Sequence, residues 1–166
     1  YNYGLNNYLT LLGGVNLTEN YQSMLLGTGL NTAIGGFNLI GNLSKASIFS
    51  NDYQGQRLSL DYVYNWNSYN FNVSLGSILQ SRNYLTVSNA LALLNYDDLI
   101  IDEQKNLRLT ADLKNQFNVN FNKSFSNQRL GSFSFGFLTN QYWTDKANQY
   151  QFNLNYGNAW KLLNYS

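Results

Sequence analysis

A strict alternation of apolar and polar residues constrains the fold of this chain most. From Phe117 to Phe125 the odd-numbered residues are Phe, Val or Lys, and the residues between them are Asn or Ser. The segments Gln149–Tyr156 and Arg57–Trp66 repeat this arrangement, with Val63 the one exception. Successive side chains of a strand point to opposite faces. The pattern therefore predicts strands with one apolar face and one face of amides and hydroxyls.

Strands with this alternation are predicted along nearly the whole chain. The further candidates are Tyr8–Thr18, Tyr21–Thr32, Phe37–Ile48, Tyr69–Arg82, Leu107–Leu113 and Ser132–Trp143. Each is close to the 9–11 residues that a tilted strand needs to cross a bilayer. The links between them are short and rich in Asn, Ser and Gly, which favours consecutive antiparallel hairpins. We therefore expect an all-β antiparallel meander of about eight or nine strands.

One stretch departs from the strand pattern. Ser88 and Asn89 precede an apolar run, Ala90–Leu94, which predicts one or two turns of N-capped helix. Four of the nine acidic residues then follow between positions 97 and 103. We expect residues 89–106 to form the longest loop. No other composition shift suggests a boundary, so residues 1–166 are expected to form a single segment, mature or cut from a longer chain because no leader pattern opens it.

The composition excludes several function classes. The chain has no His and no Cys, which removes Ser-His-Asp and Cys-His catalysis, zinc sites with these ligands and disulfides. Only 11% of residues are charged and the net charge is +1, so no basic surface for nucleic acid is expected. An acid–base enzyme would have to work with carboxylates, Lys or Tyr alone, and we expect a protein that is not an enzyme.

The polar face separates three structural interpretations. A soluble sheet protein should carry Lys and Glu on its outer face, whereas here the polar face is mostly Asn, Ser, Gln and Gly. This favours an outer-membrane β-barrel with a solvated lumen and an apolar exterior. A soluble all-β domain and an Asn-rich assembling sheet remain the alternatives. Aromatic residues near strand ends could form the interfacial girdles: Tyr8, Tyr21, Trp66, Tyr69, Tyr142, Trp143 and Trp160.

Candidate site residues follow from the same faces. The residues predicted to line a lumen are Arg57, Asp61, Asn118, Asn120, Asn122, Gln151, Asn153 and Asn155. Arg57 and Asp61, with Lys45 expected nearby, are ordinary polar lining or a charge pair that shapes passage. The acidic residues Asp97, Asp98, Asp102 and Glu103 could bind calcium, but their spacing fits no EF-hand and favours a solvated loop. No metal site is therefore predicted.

Several short strings, in order, resemble one family, the outer-membrane fimbrial ushers. The strings are Tyr3-Gly4-Leu5, Leu9 to Gly14, Gly27 to Thr32, Gly55-Gln56, Arg82 to Ser88, Gln141 to Trp143 and Gln149 to Tyr156. The family pattern has Gly where this chain has Asn83, and it places no motif on the acidic loop. The strings span nearly the whole sequence.

The resemblance implies a fold, a function and partners. It implies part of a transmembrane barrel, after the plug, in a bacterial outer-membrane pore that assembles and secretes fimbrial subunits. The implied partners are periplasmic chaperone–pilus subunit complexes and outer-membrane lipid, with no nucleic acid and no cofactor. The alternative is a complete eight-stranded outer-membrane barrel with a structural or adhesive role.

Overall fold

Nine strands form one antiparallel sheet in chain order. The computed structural model describes residues 2–4, 8–48, 51–95, 113–126, 130–144 and 147–158. The strands are β1 (Asn2–Gly4), β2 (Leu9–Leu17), β3 (Tyr21–Thr32), β4 (Gly35–Ile48), β5 (Asn51–Trp66), β6 (Phe71–Gln80), β7 (Leu113–Ser124), β8 (Ser132–Tyr142) and β9 (Gln149–Gly157). The predicted all-β antiparallel meander is confirmed.

Register keeps the two faces continuous across the sheet. Asn42 of β4 pairs with Arg57 of β5, which pairs in turn with Gln80 of β6. Directly opposed residues of antiparallel strands project to the same side. One irregularity occurs at the start of β7, where the pairing with β8 shifts between Leu113 and Asn115. A side chain's face can thus be read from β2 to β9 by following these pairs.

The tight turn between β3 and β4 depends on a glycine. Gly35 has a φ of +125°, and a Cβ there would lie 2.6 Å from the Tyr62 ring and 2.7 Å from the Val63 carbonyl oxygen. The Thr32 hydroxyl donates a hydrogen bond to the Gly35 carbonyl over 2.8 Å. The turn therefore closes against β5 only because this position lacks a side chain.

A short helix follows β6. Helix α1 spans Val87–Asn95, and the Thr86 hydroxyl accepts a hydrogen bond from the Asn89 N–H. Thr86 is therefore the N-terminal cap, and the predicted cap at Ser88 and Asn89 is wrong because those residues already lie in the first turn. No helix in the described part of the chain is long and apolar enough to span a membrane.

The predicted long loop at 89–106 needs correction at its start. Regular strand pairing of β6 ends at Gln80, and residues up to Asn95 include α1. The remainder of that loop, residues 96–106, and most of the predicted strand Leu107–Leu113 lie outside the described residues. The connection between β6 and β7 therefore begins earlier than the alternation suggested.

The core is small and sits at one end of the sheet. Its members are Tyr21, Ala46, Ile48, Leu85 and Ala90, with Tyr53 and Val87 packed against them. Most strand residues elsewhere are half-buried or exposed on both faces. The sheet thus has the character of a wall rather than one layer of a filled sandwich.

Candidate functional site

All eight residues predicted to line a lumen lie on one face of the sheet. Asp61 pairs with Gly76, which pairs with Asn118, and that row continues through Leu138 to Gln151. The neighbouring rows place the others on the same side: Arg57, Asn120, Asn122, Asn153 and Asn155. We call this side the polar face. The sheet brings together residues that are far apart in the sequence.

Several Asn side chains of the polar face lie flat against the sheet, above glycines of the adjacent strand. A Cβ on Gly76 would be 2.1 Å from the Asn118 Oδ1, and one on Gly29 would be 2.9 Å from the Asn38 Oδ1. At Gly136 the nearest atom would be the Asn120 Oδ1, at 3.2 Å. Glycine on one strand thus makes room for an Asn side chain from the next. The result is a polar surface of low relief.

Side-chain amides on this face also bond to one another. The Gln116 amide donates to the Asn140 Oδ1 over 2.8 Å, and the Asn140 amide donates to the Gln149 Oε1 over 3.5 Å. The Tyr142 hydroxyl donates to the same Gln149 oxygen over 2.7 Å. Amides that satisfy each other in this way present neutral donors and acceptors to solvent. We call the polar face of β7–β9 the amide surface.

Arg57 and Asp61 supply opposite charges in the middle of β5. They are four positions apart in the strand, a rise of roughly 13 Å, and no ion pair joins them among the residues described. Asp61 is exposed, whereas the Arg57 Nε is buried and has no hydrogen-bond partner. Lys45 was expected nearby, which is wrong: its register partners Gln22 and Gln54 place it on the opposite face.

One end of the polar face is covered by the segment that follows β6. The Tyr21 hydroxyl donates to the Leu85 carbonyl over 3.1 Å, and the Leu85 N–H donates to the Ser44 Oγ over 3.3 Å. A Cβ on Gly55 would lie 2.2 Å from the backbone N and Cα of Tyr84. Glycine is therefore needed where this segment crosses β5. We call this contact, residues 84–90 on β3–β5, the covered end.

Burial at the covered end removes Tyr21 from the predicted girdle and shifts the pKa of Tyr84. Tyr21 is only 2% exposed and faces inward, so the prediction that it belongs to an interfacial girdle is wrong. Burial raises the pKa of Tyr84, nearby Tyr21 raises it further, and Arg57 acts in the opposite direction. The neutral phenol is thus the form that the covered end favours.

The other side of the sheet, the outward face, carries an exposed apolar band. Large side chains of β5, β7 and β9 lie along it, and Phe152 is 68% exposed. On β4 and β5 the band ends at Leu43 and Leu58, beyond which outward residues are polar. Soluble monomers rarely expose a continuous band of large apolar side chains. Such a face is typical of a surface covered by lipid or by another protein.

Aromatic residues cluster where β5 and β6 meet. Trp66 and Tyr69 contact edge to face with centroids 4.5 Å apart, and Phe71 contacts Phe121 at 4.7 Å. Trp66 and Tyr69 are about half exposed at the strand ends, as the girdle prediction requires. Tyr142 instead reaches the polar face through Gln149, and Trp160 lies outside the described residues.

Sequence reasoning missed the residues of the covered end. Gly55, Tyr84 and Leu85 lie in strings that carry the family resemblance, but those strings do not indicate what the residues contact, and their partners are remote in the sequence. A signal did exist, because Tyr21, Ala46 and Ile48 are apolar residues at positions of the polar face. Apolar residues that break a polar face indicate that something packs over it.

No candidate metal site emerges from the described part of the chain. The acidic group Asp97, Asp98, Asp102 and Glu103 lies outside those residues. Within them, no group of three or more Asp, Glu, His or Cys side chains is placed to hold an ion.

Comparisons with known proteins agree with this arrangement. The sequence matches the family described as "Outer membrane usher protein" over residues 1–166. It is 34% identical to the outer membrane usher protein HtrE of Escherichia coli over 176 residues, covering 100% of this chain and 20% of that protein. It is 30% identical to the usher protein HifC of Haemophilus influenzae, covering 99% of this chain and 20% of HifC.

Solved structures show the same fold. The translocation pore of the P pilus usher PapC matches 92% of this chain and 29% of that chain, with a TM-score of 0.72 and 22% identity. The P pilus tip assembly intermediate PapC-PapD-PapK-PapG matches 90% of this chain, with a TM-score of 0.72 and 23% identity. The meander therefore corresponds to part of an outer-membrane barrel wall. The chain spans about a fifth of the length of the curated relatives it matches.

Proposed function

Because the chain belongs to the outer membrane usher protein family, we propose that it forms part of the wall of a pore that assembles and secretes pilus subunits. The family membership confirms the outer-membrane location predicted from the sequence. The observation that carries the proposal is the register, which gives one continuous sheet an amide face and an exposed apolar face. A pore wall between lipid and water requires these two faces.

The proposed role is that of a passive wall, with transport rather than catalysis as its task. The proposed partners are periplasmic chaperone–pilus subunit complexes on the lumen side and outer-membrane lipid outside. The P pilus usher PapC has been solved in a tip assembly intermediate with PapD, PapK and PapG. The alternative, a complete small barrel, is not favoured because each curated usher relative is matched over only about a fifth of its length.

The polar face is proposed to line the lumen. Its amides lie flat over glycines of the neighbouring strand, so they offer many weak neutral contacts and few protruding side chains. Two formal charges of opposite sign, on Arg57 and Asp61, add no strong field of one sign. A folded subunit could move along such a surface because no single contact would hold it strongly.

Cysteine labelling tests the assignment of faces. These 166 residues contain no Cys, so each single replacement adds one reporter to the sheet, and its labelling is compared with that of the unchanged full-length protein. We expect Asn120→Cys and Asn153→Cys to react with a membrane-impermeant thiol reagent in intact outer membranes. Val119→Cys and Phe152→Cys, on the outward face, should stay protected by lipid. Equal labelling of both pairs would contradict the assigned faces.

Charge replacement tests the role in passage. We expect the triple variant Asn118→Lys, Asn120→Lys, Asn153→Lys to reduce pilus assembly on cells and to shift the ion selectivity of the pore towards anions. The single variant Asn120→Lys should shift selectivity in the same direction, and Gln54→Lys, which adds the same charge on the outward side beyond the apolar band, should leave selectivity unchanged. Normal assembly and selectivity in the triple variant would contradict a lumen-lining role.

A further inference from the structure

A groove crosses the outward apolar face at a glycine of β4. Gly41 lies between Leu26 of β3 and Leu58 of β5, and its missing side chain leaves a groove of about 490 Å³. Met24, Leu43 and Leu79 complete the apolar walls. A Cβ on Gly41 would come no closer than 3.8 Å to any neighbour, so steric crowding does not require a glycine here. The absence of the side chain mainly creates the groove.

The groove continues to a polar end with one cation. A second depression of about 410 Å³ shares Met24 and Leu43 with the first and reaches Lys45, Gln22 and Gln54. These three outward residues lie just beyond the last apolar residues of β3 and β4. The shape is therefore an apolar trough that ends in an ammonium group and amides at the edge of the band.

Lys45 is available to a ligand. Its side chain is exposed, and its ammonium group has no ion pair or hydrogen bond with any residue that the structure describes. The closest carboxylate on this face by register is that of Asp52, opposite Ser47 and further towards the turn. Asp52 accepts a hydrogen bond from the Ser47 hydroxyl over 2.6 Å. The amides beside Lys45 can serve as both donors and acceptors.

The connections between strands indicate which leaflet the polar end faces. The end of the sheet near Lys45 carries the connections 18–20, 49–50, 81–112 and 143–148, and the opposite end carries 5–8, 33–34, 67–70 and 125–131. Outer-membrane barrels have short periplasmic turns and longer extracellular loops. The longest connection and the β4–β5 hairpin that extends beyond the apolar band thus assign the Lys45 end to the extracellular side.

We propose that this groove binds one phosphorylated glycolipid of the outer leaflet. An acyl chain lies in the trough at Gly41, a lipid phosphate meets the Lys45 ammonium, and sugar hydroxyls bond to Gln22 and Gln54. The site rests on the proposed function only for the placement of the sheet in the outer membrane. It goes beyond that function because it assigns a specific ligand to the outward face.

The test uses the full-length protein in detergent and measures lipid binding by native mass spectrometry. The probes are bis-phosphorylated lipid A, the same lipid without its phosphates, and phosphatidylglycerol. Lys45→Gln should weaken binding of the phosphorylated glycolipid about five-fold, the effect of one Lys on an anionic lipid. The same variant should leave the dephosphorylated probe unchanged. Gly41→Leu, which fills the trough, should weaken both glycolipids several-fold.

Matched controls separate this site from general lipid contact. Lys123→Gln removes a cation at the opposite end, and Gly13→Leu adds an outward side chain at a place with nothing within 4 Å of the Cβ. Both should bind the glycolipid as the unchanged protein does. Equal losses in the Lys45 and Lys123 variants, or phosphatidylglycerol binding with the same dependence on Lys45, would overturn the proposal.

Pilus assembly, measured on the same variants, keeps the two proposals apart. Loss of glycolipid binding with normal assembly would support the lipid site and leave the lumen proposal intact. Unchanged glycolipid binding in both Lys45→Gln and Gly41→Leu would overturn the lipid site whatever the assembly result.

Discussion

The covered end and the amide surface occupy the same face of one sheet but differ in what lies above them. At the covered end, inward side chains are buried: Tyr21 is 2% exposed and Ala46 1%. On the amide surface, the corresponding positions hold Asn and Gln that bond to one another or lie over glycine. Alternation sets which face a side chain joins, whereas composition on that face records whether protein or water covers it.

The largest effect is expected when the aromatic ring of Tyr21 at the covered end is removed. Tyr21→Ala should destabilise the packing of residues 84–90 by about 3 to 5 kcal/mol, the usual cost of deleting a buried aromatic side chain. Hydrogen exchange of the Leu85 and Ala90 amides, measured by mass spectrometry on the full-length protein, reports this opening. Protection there should be lost, while the Asn120 amide in β7 stays protected.

Tyr21→Phe is the matched control. It keeps the ring and removes only the hydroxyl that donates to the Leu85 carbonyl. The expected cost is about 1 kcal/mol, typical of one hydrogen bond. If Tyr21→Ala and Tyr21→Phe open the segment equally, burial of the ring is not what holds the covered end.

A glycine provides the second test of the comparison. Gly55→Ala places a methyl group about 2 Å from the Tyr84 backbone, which cannot move without lifting the segment. Overpacking of this kind costs about 1 to 3 kcal/mol. We expect faster exchange at Leu85 and Ala90. Gly13→Ala, with open space at its Cβ, should leave exchange unchanged.

The sequence predicted the faces better than it predicted the strand lengths. β3 runs from Tyr21 to Thr32 as expected, since its turns carry clear signals. β5, expected from Arg57, begins at Asn51; of its first six residues only Tyr53 is apolar, which is too little for the alternation to show. Pairing with β4 extends the strand there. Lys45 was misplaced for a related reason: only the pairing shows that it and Arg57 point to opposite sides.

The candidate site was predictable where one strand carries its own signal. Asn118, Asn120 and Asn122 were assigned together because they alternate with Phe and Val in β7. The covered end was not predicted, because its two hydrogen bonds join residues more than 40 positions apart and depend on where the chain packs after β6. Local patterns carry no information about such a return.

A rise in pH should loosen the covered end. The pKa of Tyr84 is raised in the packed state, chiefly by burial. The packed state therefore holds the phenol proton to higher pH than the open state does. The stability of packing is fully present below about pH 10, the ordinary Tyr pKa, and falls as pH rises above that value. Exchange at Ala90, corrected for its intrinsic rate, should accelerate as the pH rises above about 10, because ionisation of Tyr84 then favours the open state.

Tyr84→Phe isolates this effect. The variant keeps the ring but cannot ionise, while Tyr21 and Arg57 remain in place. Its exchange at Ala90, corrected for the intrinsic rate, should depend less on pH than that of the unchanged protein. The same pH dependence in both proteins would show that Tyr84 does not control the opening.

The smallest effect is expected from substitution of a glycine on the uncovered part of the polar face. Gly76→Ala brings a Cβ as close to a neighbour as Gly55→Ala does, 2.1 Å against 2.2 Å. The neighbour at Gly76 is the Asn118 side-chain amide, which can rotate into solvent, whereas the neighbour at Gly55 is backbone under a packed segment. We expect a cost below about 1 kcal/mol, close to that of an off-rotamer side chain.

Exchange of the Val119 and Asn120 amides measures this cost, and Asn118→Ser in the same chain should remove it by shortening the side chain. If Gly76→Ala lowers stability as much as Gly55→Ala does, the amide surface is as tightly packed as the covered end. The Asn side chains over the glycines would then be held in place by packing. A small, Asn118-dependent loss instead means that they can move aside, as a surface along which a folded subunit passes requires.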